Sequence, residues 1–319
     1  MTTPALPEGS ASVEAHGLTK AYGARVALDG LSFAVGPGAV VGLLGPNGAG
    51  KTTAIRVLTT ILAPTAGTFR TAGIPDTRPN DIRRRVGVLP ESAGYPPQQT
   101  GMEYLVYHAR LYGRSRAGAQ AAAAARLQDV GLADDGGRLI DHYSRGMRQR
   151  LGIARALVHD PEVAFLDEPT LGLDPQAQAQ ILGSVRRIAR TRGATVILST
   201  HDLAEVEDIC THVLILRRGR LIADGTVAEV TRRAAAPRRG RFRVPAGDRG
   251  RALDVLGRVP ALGGVRPDDD RPDALTADLR DAGTADAVRA LAAAGIPLLA
   301  FELEGARLSD AFLAMTGDG

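Results

Sequence analysis

Gly45, Pro46, Asn47, Gly48, Ala49, Gly50, Lys51, Thr52 and Thr53 form one run, and its first eight residues fit the spacing G-x-x-x-x-G-K-[ST]. Glycines at these places let successive backbone N–H groups point inward at phosphate oxygens, and a following helix adds the positive potential of its N-terminus. Lys51 would reach the β- and γ-phosphates of a nucleoside triphosphate, and Thr52 would hold Mg²⁺ through its hydroxyl. Lysine is scarce in this chain: only Lys20 and Lys51 occur among 39 basic residues, so Lys51 stands against the local habit. A second constellation is Val163-Ala-Phe-Leu-Asp-Glu168, four apolar residues that end in two carboxylates. Asp167 suits a Mg²⁺ ligand, bound directly or through a water. Glu168 would polarise a water for attack on the γ-phosphate. An Asp-Glu pair at a strand end is common and by itself reads as a solvated terminus. Beside Lys51 it reads as the other half of a nucleotide site.

These groups need a frame. The apolar run over 40–45 predicts a buried strand, and 54–62 has helical spacing that stops at Pro64, which gives strand, glycine loop and helix in the required order. Further strands are expected over 86–89, 163–166, 196–199 and 213–216. Helices are expected over 100–112, 118–130, 146–158, 175–192 and 203–210, with Pro175 at a favourable first helical position. This alternation predicts an α/β core of parallel strands covered on both faces. Residues 231–243 break the composition with six arginines, one proline and no acid. Beyond them, strands over 242–244, 274–279 and 296–301 and helices over 252–259, 285–294 and 309–315 predict a small α+β domain.

The chain's 319 residues suit about two domains. With 44% apolar and 23% charged residues it reads as globular, and a wholly disordered chain is excluded. No run of 18 apolar residues exists to span a bilayer, and residues 1–12 lack the basic and apolar parts of a secretory signal. One cysteine, Cys210, excludes an internal disulfide and a cysteine-rich zinc site; its apolar surroundings make it a buried, inert thiol. A reduced, cytoplasmic chain is expected. A net charge of +4 is small for this length, which disfavours a nucleic-acid partner. The arginine run over 232–243 reads as a solvated linker, with contact to anionic lipid or a membrane protein as the sharper reading.

Four pieces occur in order at familiar spacings: 45–53, Tyr143-Ser-Arg-Gly-Met-Arg-Gln-Arg150, Phe165-Leu-Asp-Glu-Pro-Thr-Leu-Gly-Leu-Asp-Pro175 and Ser199-Thr-His-Asp202. Together they resemble the nucleotide-binding subunit of an ABC transporter, over about 13–231. The resemblance implies a P-loop NTPase cassette with a mostly parallel sheet core, antiparallel N-terminal strands and a helical signature subdomain, here followed by the small α+β domain. It implies a head-to-tail homodimer with two ATP molecules sandwiched at its interface. Ser144 and Gly146 of the partner would cap the γ-phosphate, Asp174 would communicate across the interface, and His201 would contact the γ-phosphate as a switch. Tyr22, before Gly23, resembles the aromatic residue that stacks on adenine. From the residues alone, Ser144 is equally a helix cap, His201 a structural histidine and Tyr22 an ordinary tyrosine.

Two departures stand out. The signature usually reads Leu-Ser-Gly-Gly-Gln, whereas Arg145 and Met147 intervene here. A glutamine usually follows the strand expected over 86–89; this chain has Glu91, with Gln98 and Gln99 seven residues later than the family's position. Glu91 is thus the candidate nucleotide- and metal-binding residue at that place, and its carboxylate is expected to stay turned away from the nucleotide until a permease closes the dimer. Residues 308–317 resemble the closing segment of subunits that serve drug, antibiotic and polysaccharide exporters. The expected organisation is a tail over 1–12, a cassette over 13–231, an arginine-rich linker over 232–240 and an accessory domain over 241–319. The expected function is ATP hydrolysis, with Mg²⁺, powering a separate polytopic permease from the inner face of the membrane. A soluble cassette ATPase acting on nucleic acid or the ribosome is the rival. Such relatives carry paired cassettes or long insertions, whereas 53 positions separate Glu91 from Ser144 and no cysteine cluster is present. A small-molecule kinase would have no use for Ser144 and Gly146.

Overall fold

The computed structural model describes residues 11–91, 94–234, 238–268, 271–280 and 283–304, with 308, 309, 312 and 315. A hairpin of β1 (Val13–Tyr22) and β2 (Arg25–Val35) comes first, then β3 (Val40–Leu44), α1 (Lys51–Leu58), β4 (Ala66–Thr71), β5 (Ile74–Pro75), α2 (Pro79–Arg85) and β6 (Val86–Leu89). Three helices follow: α3 (Gly101–Leu111), α4 (Arg116–Asp129) and α5 (Arg145–Ala156). The chain then forms β7 (Val163–Asp167), α6 (Pro175–Arg192), β8 (Thr195–Thr200), α7 (Leu203–Ile209), β9 (His212–Arg217), β10 (Arg220–Thr226) and α8 (Val227–Ala234).

One sheet has the order β10-β9-β3-β8-β7-β6 and is parallel except where β10 meets β9. Its middle strands β3, β7 and β8 are buried at every residue, as strands covered on both faces must be. Alternation sorts their side chains into two cores. Val163 and Phe165 face α1 and the hairpin, whereas Ala164 and Leu166 face the helices α3 to α6. The other sheet, β2-β1-β4-β5, is antiparallel. The loops after β3, β6, β7 and β8 leave the parallel sheet at the C-terminal ends of those strands, on the edge where α/β sheets gather ligands.

The chain divides into two compact units, Met1–Val227 and Ala228–Gly319. The second unit contains β11 (Arg238–Arg243), α9 (Arg249–Gly257), β12 (Leu262–Pro267), β13 (Ala274–Leu279), α10 (Gly283–Ala293) and β14 (Ala300–Glu304). Its antiparallel sheet runs β12-β13-β11-β14, which with the βαββαβ chain order is a ferredoxin-like split βαβ arrangement. Phe242, Leu256, Leu275 and Leu291 are among its core residues.

The arginine run is not one linker. Arg232 and Arg233 belong to α8, and Arg238 to Gly240 already lie in β11. On β11, Gly240 and Phe242 turn inward while the arginines pair with acids: Arg239 with Asp278, Arg241 with Asp268 and Glu302, Arg243 with Asp273. A charged face matched by carboxylates on neighbouring segments makes a strand out of what reads as a solvated run. The strand expected over 296–301 begins at Ala300, past Pro297, which has no N–H for a ladder. Within the helix expected over 309–315, the described residues 309, 312 and 315 are helical, and most of the 1–12 tail lies outside the described residues.

Candidate functional site

The loop between β3 and α1 turns on glycine. Gly50, at the N-cap of α1, has φ +107°, and a Cβ there would fall 2.6 Å from the Ala27 carbonyl oxygen. Only glycine lets the loop pass this close to β2 and then enter the helix. Lys51 is thereby the first residue of α1, only 7% exposed. A buried ammonium needs partners. Its Nζ donates to Gly45 O at 2.7 Å and faces Glu168 Oε1 at 3.5 Å.

The carboxylates come from the end of β7. Asp167 is buried and accepts from Ser199 Oγ at 2.6 Å and, more loosely, from Thr52 Oγ1 at 3.3 Å. Ser199 Oγ in turn accepts from the Glu168 amide at 2.9 Å. Glu168 has φ +49°, the left-handed region that costs a side-chain-bearing residue free energy. This turn leaves its carboxylate between Lys51 and His201, whose Nδ1 lies 3.1 Å from Glu168 Oε2. The loop after β8 that carries His201 is fixed by Thr200, which donates to buried Glu205 at 2.7 Å and accepts from the Asp202 amide at 3.0 Å.

Lys51, Thr52, Glu168 and His201 line an open cleft of about 450 Å³, walled by residues 46–53 with Arg25, Ala27, Glu91, Glu168, Leu171 and His201, and Asp167 joins it through Thr52. The structure thus brings together Lys51, Thr52, Asp167, Glu168, His201 and Glu91. A second cleft of about 390 Å³ shares Glu91, Glu168 and Leu171 and continues to Arg145 and Arg148. Glu91 therefore stands exposed where the two meet.

Other expected residues lie elsewhere on the chain. Ser144 caps α5, accepting from the Met147 amide at 3.2 Å, and neither it nor Gly146 lines the phosphate-loop cleft. Asp174 caps α6 through the Ala177 amide at 2.9 Å. Tyr22 is exposed at the end of β1, with the Lys20 ammonium 5.3 Å over its ring. Its register partner is Arg25, so the β1–β2 turn reaches the cleft through that arginine. Arg25 and Ser199 are functional candidates that the motif reading left without a role. The β1–β2 register and the β7–β8 pairing of Asp167 with Ser199 place them.

The donor set fits a triphosphate with a divalent cation. Loop amides and Lys51 suit phosphate oxygens, and Thr52 and Asp167 offer hard oxygen ligands. Among the described residues no group of three His, Cys, Asp or Glu stands ready to cage a metal alone. A cation here would take further oxygens from phosphate and water, as Mg²⁺ does.

Comparison with known proteins agrees with this geometry. The ABC transporter family model matches residues 28–171. A daunorubicin resistance ATP-binding protein of Streptomyces coeruleorubidus is 39% identical over 310 residues, covering 96% of each chain. A Nod factor export ATP-binding protein of Paraburkholderia xenovorans is 43% identical over 221 residues, covering 69% of this chain and 72% of its own. Among solved structures, the ATP-binding subunit of an ABC transporter superposes with a TM-score of 0.62 at 32% identity, over 69% of this chain and 92% of that one. The phosphate loop, the paired carboxylates and relatedness along nearly the whole length converge: the chain belongs to the ABC transporter family, as an ATP-binding subunit.

Proposed function

We propose that the chain hydrolyses ATP to drive a separate polytopic permease that exports a drug, antibiotic or polysaccharide-type substrate. The observation that carries the reading is the meeting of Lys51, Glu168, Thr52 and Asp167 at one sheet edge. Lys51 exchanges its Gly45 carbonyl partner for phosphate oxygens. Glu168, turned into the cleft by its left-handed backbone, orients the attacking water and accepts its proton, and His201 holds the carboxylate in place. Thr52 and Asp167 would hold Mg²⁺, which supplies charge neutralisation at the β- and γ-phosphates when bound. Tyr22 would stack on the adenine.

Ser144 and Gly146 do not line their own chain's phosphate-loop cleft, and this favours their acting on the nucleotide of a second copy in a head-to-tail homodimer. No helix among the described residues is long and apolar enough to cross a membrane, so the permease would be another chain and this one would work at its cytoplasmic face. The drug-exporter reading rests on coverage. The daunorubicin resistance relative matches through the second unit, whereas the Nod factor export relative matches only 69% of the chain. The domain reading is a nucleotide-binding cassette followed by a small accessory domain whose first strand, β11, already contains the later part of the arginine run.

Glu168→Gln tests the core of this. It keeps the shape of Glu168 and removes the base, so turnover should fall by about a hundredfold or more while ATP still binds. Size-exclusion chromatography with ATP should then show a stable dimer. A variant that hydrolyses at the wild-type rate and stays monomeric would defeat both assignments.

A further inference from the structure

Arg145 occupies the first position of α5, next to the Ser144 cap, where the family's signature usually carries glycine. Its guanidinium does not point idly into solvent. It donates to the Leu171 carbonyl at 2.9 Å, across 26 residues of sequence. It also lies flat against the next residue, Gly172: a Cβ there would fall 2.5–2.6 Å from three guanidinium atoms. Gly172 has φ +69°, so both its backbone and its missing side chain are required for this approach. The held segment is short and consequential. It begins at Glu168 and ends at Asp174, which caps α6. Arg145 and Leu171 both line the second cleft, the one that also contains Glu168 and Glu91.

We propose that Arg145 is a positioning residue that fixes the loop following Glu168 and ties it to the helix start carrying Ser144 and Gly146. A planar guanidinium suits this task, because it donates to a carbonyl and stacks on the adjoining peptide together. The inference deepens the proposed function and rests on it in one respect. In a two-nucleotide sandwich, Glu168 serves one ATP and Ser144 with Gly146 serve the other. The bond from Arg145 to Leu171 then joins the two sites inside each chain, so that occupation at one end is felt by the base at the other.

The test is steady-state ATP hydrolysis by the full chain at saturating Mg²⁺, for wild type, Arg145→Ala, Arg145→Lys and Gly172→Ala. Arg145→Ala should lower kcat about fivefold, the scale of one typical net hydrogen bond. KM should change by less than about twofold, because loss of a positioning contact spares ground-state binding. The Hill coefficient should fall toward one. Arg145→Lys should recover part of kcat, since an ammonium can donate to Leu171 O but cannot lie flat. Gly172→Ala, which displaces the guanidinium without removing its charge, should reproduce the kcat loss and guards against a folding defect in the first variant. Unchanged kcat and Hill coefficient in both Arg145→Ala and Gly172→Ala would overturn the proposal, as would a change confined to KM. If wild type itself shows a Hill coefficient of one, the coupling between the two sites fails, and kcat alone still decides the role of Arg145.

Discussion

Lys51 and Glu91 meet the nucleotide cleft with opposite charges and opposite expected consequences. Lys51 is the buried cation of the loop and the counter-charge of Glu168. Lys51→Ala removes the charge that would hold the β- and γ-phosphates and leaves Glu168 without its ammonium. Hydrolysis should drop by about a hundredfold or more, the scale set by removing one electrostatic stabiliser. A phosphate-release assay on purified variant and wild type reads this, and wild-type turnover would remove the nucleotide assignment. Glu91 is exposed at the junction of both clefts, close to Glu168. A second carboxylate facing a triphosphate costs roughly 4 kcal/mol per like-charge contact at ~4 Å and an effective dielectric near 20, before Mg²⁺ offsets it. Glu91 would therefore hold basal turnover down, and Glu91→Gln should raise it several-fold while weakening its dependence on a permease. Hydrolysis by both proteins, with and without the membrane subunit, is the comparison; equal rates throughout would make Glu91 a bystander. The residues legible from sequence are those in continuous motifs: Lys51 and Thr52 in one, Asp167 and Glu168 in the other. Ser199 stands inside a quoted motif, yet its bond to Asp167 comes from strand pairing, and Arg25 reaches the cleft through the β1–β2 turn; no linear spacing records either contact.

At the scale of elements, His159 links three of them. It follows α5, stacks on Tyr112 beyond α3 at 3.7 Å between ring centroids, and its Nε2 lies 3.1 Å from the Val86 carbonyl at the start of β6. A carbonyl only accepts, so Nε2 donates, which leaves Nδ1 as a buried nitrogen with no partner. Burial pushes this imidazole down to about 4, against the smaller opposing pull of Val86 O and Asp160. His108 is likewise held down to about 4, by burial and then Arg155. Both groups titrate near 6.5 when unfolded. Between that value and about 4 the unfolded chain binds more protons than the folded one, so stability falls as pH drops through this window and levels below it. Thermal melts across that range should show the slope, and His159→Gln should flatten part of it. An unaltered slope would place the protons elsewhere. Element legibility followed burial: β6, α6 and β13 occupy the spans that their apolar patterns predict. β12 escaped because Gly263, Gly264 and Pro267 are poor strand residues held by pairing with β13. β1 has register shifts against β2 that break the period-2 signal, so only family resemblance announced an antiparallel N-terminal sheet.

At the scale of the whole molecule, the two units have hydrophobic cores with no residue in common. The nucleotide cleft is lined wholly by residues of the first unit. A ligand that binds the native form of one unit raises the stability of that unit alone, by about 2.7 kcal/mol at a hundredfold excess over Kd. For a unit of this size that is roughly 5–10 °C in Tm. Scanning calorimetry should therefore show two transitions, with Mg²⁺ and a non-hydrolysable ATP analogue moving one and leaving the other in place. Truncation after Ala234 should remove the unmoved transition and keep the nucleotide-sensitive one. A single transition that shifts as a whole would mean the cores melt as one cooperative body. The accessory unit would then belong to the folding of the ATPase, and any role in coupling to a permease would have to act through that shared stability.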